Sequence, residues 1–189
     1  GEGMAPNVMN IEAYLGDKGV LYTQITKDDR TFHITNTHTQ SDSVGDAHPL
    51  RLQEYEMIHD FVESKNVTDT DLVLYGGDFN EDKYCTLYTS VDPKCEGEEF
   101  YDAMVEVLKA DLPPITSELQ YTVSTINNTI MEALWEGTES HYRELLIDFV
   151  FYHTGYLIPE DSSYCEVVRP LGPDGEDLSD HLPLTCQYD

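Results

Sequence analysis

Three short polar motifs each abut an apolar, strand-like run, and this arrangement constrains the fold more than anything else in the 189 residues. Asn36-Thr37-His38-Thr39-Gln40 ends a run rich in Thr, Ile and Phe. Gly76-Gly77-Asp78-Phe79-Asn80 follows the apolar stretch Asp71–Tyr75, and Ser179-Asp180-His181 leads into Leu182–Tyr188. Residues so far apart in sequence meet only if their strands lie side by side, so the motifs require a sheet with polar groups gathered at strand ends.

The rest of the chain supplies that sheet and its cover. Val20–Thr26 and Thr31–His38 flank Lys27-Asp28-Asp29-Arg30, a hairpin signal. Gln40–His48 reads as a polar loop, after which Pro49 opens a helix with Tyr55, Ile58, Phe61 and Val62 on one apolar stripe. Glu81–Ser90 is expected to form a short helix. Phe100, Met104, Val107 and Leu108 mark another, ending near Pro113-Pro114. Residues 119–126 look extended. Leu145–Tyr152 is the strongest strand, apolar except for Asp148; Tyr164–Arg169 and Leu182–Tyr188 are the last. Helices interrupting strands give an α+β class, with 1–17 an arm or connector and 18–189 one domain portion. No internal repeat stands out.

Charge restricts the partners. With 37 acidic and 10 basic side chains the net charge is −27. A polyanion would be repelled, and nucleic-acid binding, which needs Lys and Arg to displace counterions, is disfavoured. Cys85, Cys95, Cys165 and Cys186 make an even count without metal-site spacing, and so are candidates for two disulfides of unassigned pairing. Asn66-Val67-Thr68 and Asn127-Asn128-Thr129 are glycosylation sequons at Asn66 and Asn127, pointing to a secreted, extracellular glycoprotein. No apolar run approaches the ~18 residues of a membrane span.

The motifs carry a coherent chemistry. Asp78, after two glycines that permit close backbone approach, can orient or deprotonate water. Asn80 can donate to a phosphate oxygen or ligate a metal; Gly-Gly-Asp-Phe-Asn by itself also suits a plain turn. Asp180 and His181 offer a carboxylate–imidazole pair. His38 ends a strand. Asp148, inside an apolar run, needs a partner and is expected to hold a catalytic loop in place rather than act directly.

Taken in order, Lys18-Gly19-Val20-Leu21-Tyr22, Thr37-His38-Thr39-Gln40, Gly77-Asp78-Phe79-Asn80, Ile147-Asp148-Phe149 and Leu178-Ser179-Asp180-His181-Leu182-Pro183 resemble the endonuclease/exonuclease/phosphatase superfamily. The resemblance is to its secreted neutral sphingomyelinase C branch, with deoxyribonuclease I more distant, and covers about residues 18–188. It implies a DNase I-like four-layer α/β sandwich and Mg²⁺-dependent (or other divalent-cation) phosphodiester hydrolysis. It further implies His38, Asp78, Asn80, Asp180 and His181 as catalytic residues, Asp78, Asn80 and His181 as metal-handling groups, and Asp180 as the acid orienting His181. Family members begin with a part carrying an asparagine and a metal-binding glutamate; the chain is expected to lack that N-terminal part. The family's Thr-Trp-Asp-Pro segment, followed by Asn, is replaced by Thr122-Val123-Ser124-Thr125, followed by Asn127.

The expected function is therefore a secreted phosphodiesterase releasing phosphocholine from sphingomyelin. Its expected partners are a phospholipid or membrane surface, and an N-terminal half-domain chain or self-assembly. The alternative is an extracellular structural or assembly module with a relict site. A secreted nuclease is the weaker third reading.

Overall fold

The computed structural model describes residues 18–41, 47–84, 97–135 and 144–189. The expected hairpin is present as β1 (Val20–Lys27) and β2 (Arg30–His38), antiparallel and in register from Val20↔Thr37 to Lys27↔Arg30. Its turn places Asp28 and Asp29 at φ 52° and 61°, the left-handed geometry that matches the twist of paired strands. Along β2 the alternation of side chains buries His33, Thr35 and Thr37 on one face and turns Asn36 and His38 to the other.

Helix α1 (His48–Glu63) begins with Pro49 in its first turn and buries Arg51, Tyr55, Ile58 and Val62. It crosses over to β3 (Leu72–Asp78), which runs parallel to β2 with His38 beside Asp78. Helix α2 (Gly97–Leu108) buries Met104 and Leu108 against the same sheet face and leads into β4 (Ala110–Asp111). The core between helices and sheet contains Tyr55, Ile58, Val62, Tyr75, Phe79 and Phe151. Strand β7 (Asp148–His153) completes a mixed five-stranded sheet in the order β1-β2-β3-β7-β4. The opposite sheet face is open at β1, where Leu21 and Ile25 are 75% and 45% exposed.

Several expected elements differ. The run Leu145–Tyr152 is split: β6 (Glu144–Leu145) pairs with β5 (Val123–Ser124) in a separate ribbon, and only from Asp148 does the chain join the main sheet. Between them, side chains rather than strands take the N–H groups. Leu146 N–H donates to Asp82 Oδ1 (3.1 Å) and Ile147 N–H to Thr122 Oγ1 (3.4 Å). Apolar pattern could not show this break, because both residues stay buried. Residues 81–84 are not helical, since buried Glu81 and Asp82 are committed to tertiary partners; Cys85–Ser90 lie outside the described residues. Within 119–126 only Val123 and Ser124 pair as a strand, and a third helix, α3 (Thr129–Trp135), was not anticipated.

Strands β8 (Tyr164–Val167) and β9 (Leu184–Gln187) form an antiparallel pair closed by a Cys165–Cys186 disulfide directly across the ladder. Cys85 and Cys95 fall outside the described residues. The bridge closes a loop of sequence separation 21, which includes His181. Cys165→Ala with Cys186→Ala should lower unfolding free energy by about 3 kcal/mol, measured by urea denaturation. An unchanged midpoint would show that the bridge does not constrain the unfolded chain.

Candidate active site

The parity of β3 builds the site. In Asp78-Phe79-Asn80 the central Phe79 is fully buried, edge-on to Phe151 at 5.5 Å, while its carbonyl accepts from Tyr55 Oη (2.7 Å) and Thr39 Oγ1 (2.6 Å). That anchorage directs Asp78 away from the core. Its Oδ1 accepts the Asn80 N–H (2.8 Å), and Asn80, at φ 51°, donates its side-chain amide to the Thr39 carbonyl (3.0 Å). Asparagine tolerates this left-handed backbone better than most residues. The ends of β2 and β3 are thus fastened to each other, with His38 Nε2 3.4 Å from Asp78 Oδ2 at the rim, its side chain 53% exposed.

Across the ladder, Asp78 faces Asp148 of β7 in direct register. Asp148 Oδ2 accepts from His181 Nδ1 at 2.8 Å, bridging residues 33 apart in sequence. Donor atoms of Asp78, Asp148 and His181 all lie within 4.8 Å of one another. Asp148 and His181 border a cleft of about 370 Å³ lined also by Asn36, Gly76, Gly77 and Ser179.

Of the residues named from sequence, Asp78, Asn80, His181 and His38 are gathered here, and Asp148 lies inside the cluster. Asp180 does not reach the imidazole. It accepts from Ser179 Oγ at 3.2 Å, and the contact expected of it is made by Asp148. The sequon asparagines Asn66 and Asn127 are both exposed; Asn127 donates to Glu144 Oε1 at 3.1 Å.

Electrostatics follow from two facing carboxylates. Burial raises the Asp78 pKa, and the charge of Asp148 raises it further, against the lowering effects of His181, the Asn80 N–H and His38. Burial disfavours the His181 imidazolium, but the hydrogen bond and charge of Asp148, then the charges of Asp78 and Asp180, raise its pKa to about 9. Two carboxylates forced together call for a cation. Without an ion, His181 is that cation. Carboxylate oxygens and the Asn80 amide oxygen are hard donors, suited to Mg²⁺ or a similar ion. Because Nδ1 is committed to Asp148, the imidazole is better placed to move protons than to ligate such an ion.

Beneath the site, wholly buried Arg51 donates Nε to Glu81 Oε2 (2.9 Å) and Nη1 to the Gln40 carbonyl (3.0 Å), joining the loops that follow β2 and β3. Sequence reading missed this pair; an arginine on the buried stripe of α1 was the available signal. A second histidine–carboxylate group, His59, Glu63 and His153, also converges. It is poorly suited to a metal. Gly155 N–H donates to His153 Nδ1 (2.8 Å), so the proton of the neutral ring sits on Nε2, the atom turned toward Glu63. Burial holds that histidine neutral, lowering its pKa to about 4.

No family model matches the chain. It is 27% identical to a sphingomyelinase C of Bacillus cereus over 189 residues, 91% of this chain and 52% of that protein. A second B. cereus sphingomyelinase C is 30% identical over 165 residues, 84% of this chain and 45% of the other. Among solved structures, SmcL superposes with a TM-score of 0.74 at 22% identity, covering 91% of this chain and 59% of SmcL. A beta toxin mutant from Staphylococcus aureus with bound magnesium ions gives 0.71 at 23% identity, covering 91% and 58%. The chain spans about half the length of the curated relatives it matches. The matches extend over most of the chain, and the sphingomyelinase C relatives, together with the fold shared with the solved structures, place the chain in the DNase I-like sphingomyelinase family.

Proposed function

We propose that this chain forms the catalytic end of a secreted, divalent-cation-dependent phosphodiesterase that hydrolyses sphingomyelin to ceramide and phosphocholine. The Asp78–Asp148–His181 cluster carries the reading. When bound, Mg²⁺ supplies charge neutralisation at the phosphoryl oxygens. Asp78 and Asn80 would hold it through oxygen atoms and orient the attacking water. Asp148 fixes the His181 tautomer with hydrogen on Nδ1, leaving Nε2 to take the proton of water as its oxygen bonds to phosphorus. The bond from phosphorus to the ceramide oxygen breaks, and His38 at the rim is placed to protonate that oxygen. A nuclease fits the charge of −27 poorly.

Leu21 and Ile25 on the open sheet face favour a further covering element, supplied by a half-domain chain or by assembly. That is consistent with the half-length match. It is also what an assembly module with a relict site would show, so activity decides between the readings. Phosphocholine release from sphingomyelin vesicles should require Mg²⁺, stop in EDTA, and disappear in the Asp78→Ala protein. Folded natural material that binds no divalent cation and releases nothing would favour the assembly module.

A further inference from the structure

His181 lies on the long connection between β8 and β9, where a loop would ordinarily wander. A catalytic group needs placement to within about 0.5 Å. The connection is tied at successive points to one distant segment, Thr122–Thr129. Leu182 N–H donates to the Thr122 carbonyl (2.7 Å). Asn128 Nδ2 donates to the carbonyls of Ser179 (2.8 Å) and Asp180 (3.4 Å). Thr129 N–H donates to Asp177 Oδ2 (2.8 Å), and Asp177 N–H donates to Thr129 Oγ1 (3.0 Å). Asp177 is also gripped by both Nε and Nη2 of Arg169 at 2.8 Å. The same segment holds the other half of the pair, since Thr122 Oγ1 accepts the N–H groups of Ile147 (3.4 Å) and Asp148 (3.3 Å).

Asn128 is the centre of this arrangement. It is fully buried, and both ends of its amide are used. Oδ1 accepts from Ile130 N–H (3.0 Å) and Met131 N–H (3.1 Å), capping α3. A cap alone would be served as well by serine or aspartate. The donors on Nδ2 distinguish asparagine from both: aspartate has no donor, and serine carries its single donor on the capping oxygen itself, whereas the amide separates an acceptor for the helix from two donors for the loop. We propose that Asn128 is a positioning residue for His181: it locks the Ser179–Asp180 backbone so that the imidazole meets Asp148. The catalytic consequence rests on the function proposed above; the geometric claim does not.

Asn128→Asp and Asn128→Ser both retain a capping oxygen and remove the Nδ2 amide that reaches the Ser179 and Asp180 carbonyls. In each, amide hydrogen exchange at Ser179–Leu182 should accelerate about tenfold, as for loss of a hydrogen bond worth about 1.4 kcal/mol. The exchange of Ile130 and Met131 should stay slow. The downfield Nδ1–H resonance that the His181–Asp148 hydrogen bond should give in the unsubstituted protein should broaden or vanish. In the Mg²⁺-loaded enzyme kcat should fall with KM unchanged. Variants that keep the His181 resonance and the loop protection would reduce Asn128 to a helix cap and overturn the proposal. If neither variant folds, the unsubstituted protein still decides. Its Asn128 side-chain amide protons should exchange slowly and show contacts to Ser179 and Asp180, and fast exchange would overturn the proposal. An unsubstituted protein without hydrolytic activity would defeat the proposed function while leaving these resonance tests intact.

Discussion

Gly77→Ala should prevent β3 from pairing with β2 and leave the protein largely unfolded. A β-carbon there would lie 1.9 Å from the Thr37 carbonyl oxygen and 2.9 Å from the Thr37 carbonyl carbon and nitrogen. These are backbone atoms of the neighbouring strand, so no side-chain rotation relieves the overlap. Gly77 also sits at φ 135°, a conformation that residues with a β-carbon rarely adopt. Clash and strain act together, and about 4 kcal/mol or more is expected, a large part of a domain's whole stability. Gly76→Ala is the internal comparison. Its β-carbon would meet the Thr35 carbonyl oxygen at 3.5 Å, an ordinary contact, and φ there is not positive. Denaturation midpoints should separate the two neighbours widely. Similar midpoints would mean that the end of β3 is loose enough to move aside, and the ladder geometry behind Asp78 would have to be abandoned.

The contrast between these glycines shows what sequence could and could not reveal. Gly76-Gly77 reads as turn chemistry, yet both residues lie inside β3, and only Gly77 is dictated by a close approach. The hairpin, α1 and β3 were legible because alternation, a proline at a helix start and an apolar stripe are local signals. The convergence of His38, Asp78, Asn80 and His181 was legible because each motif abuts a strand. Asp148 was legible as an acid needing a partner, but not the identity of that partner. Adjacent Asp180 looked the natural mate for His181, whereas facing strands supplied one 33 residues away. Register is a property of the assembled sheet, and a single strand does not contain it. Likewise Asn128 was not singled out beside the more conspicuous sequon residue Asn127; a cap-type residue before an apolar run was the available signal.

His181→Ala should lower phosphodiesterase kcat by about 10²–10⁴-fold, the range for losing a positioned general base, with a smaller change in KM. The same residue makes a separate, ion-free prediction. Its folded pKa of about 9 exceeds the ordinary value of 6.5, so folding favours the imidazolium. That contribution to stability is complete below pH 6.5 and disappears as pH rises through 9. Asp78, also raised, works in the same sense at lower pH: its neutral form is the favoured one, and ionising it costs stability. In EDTA the unsubstituted protein should therefore lose thermal stability between pH 6.5 and 9, and His181→Gln should flatten that decline. Asp78→Asn should stabilise the ion-free protein at neutral pH while removing cation binding and turnover, as expected of a site that keeps two facing carboxylates for function rather than for stability. Two results would sink this account: a melting temperature in EDTA that rises from pH 6.5 to 9, or an Asp78→Asn protein that is less stable than its parent. Either would mean that Asp78, Asp148 and His181 do not share one electrostatic site.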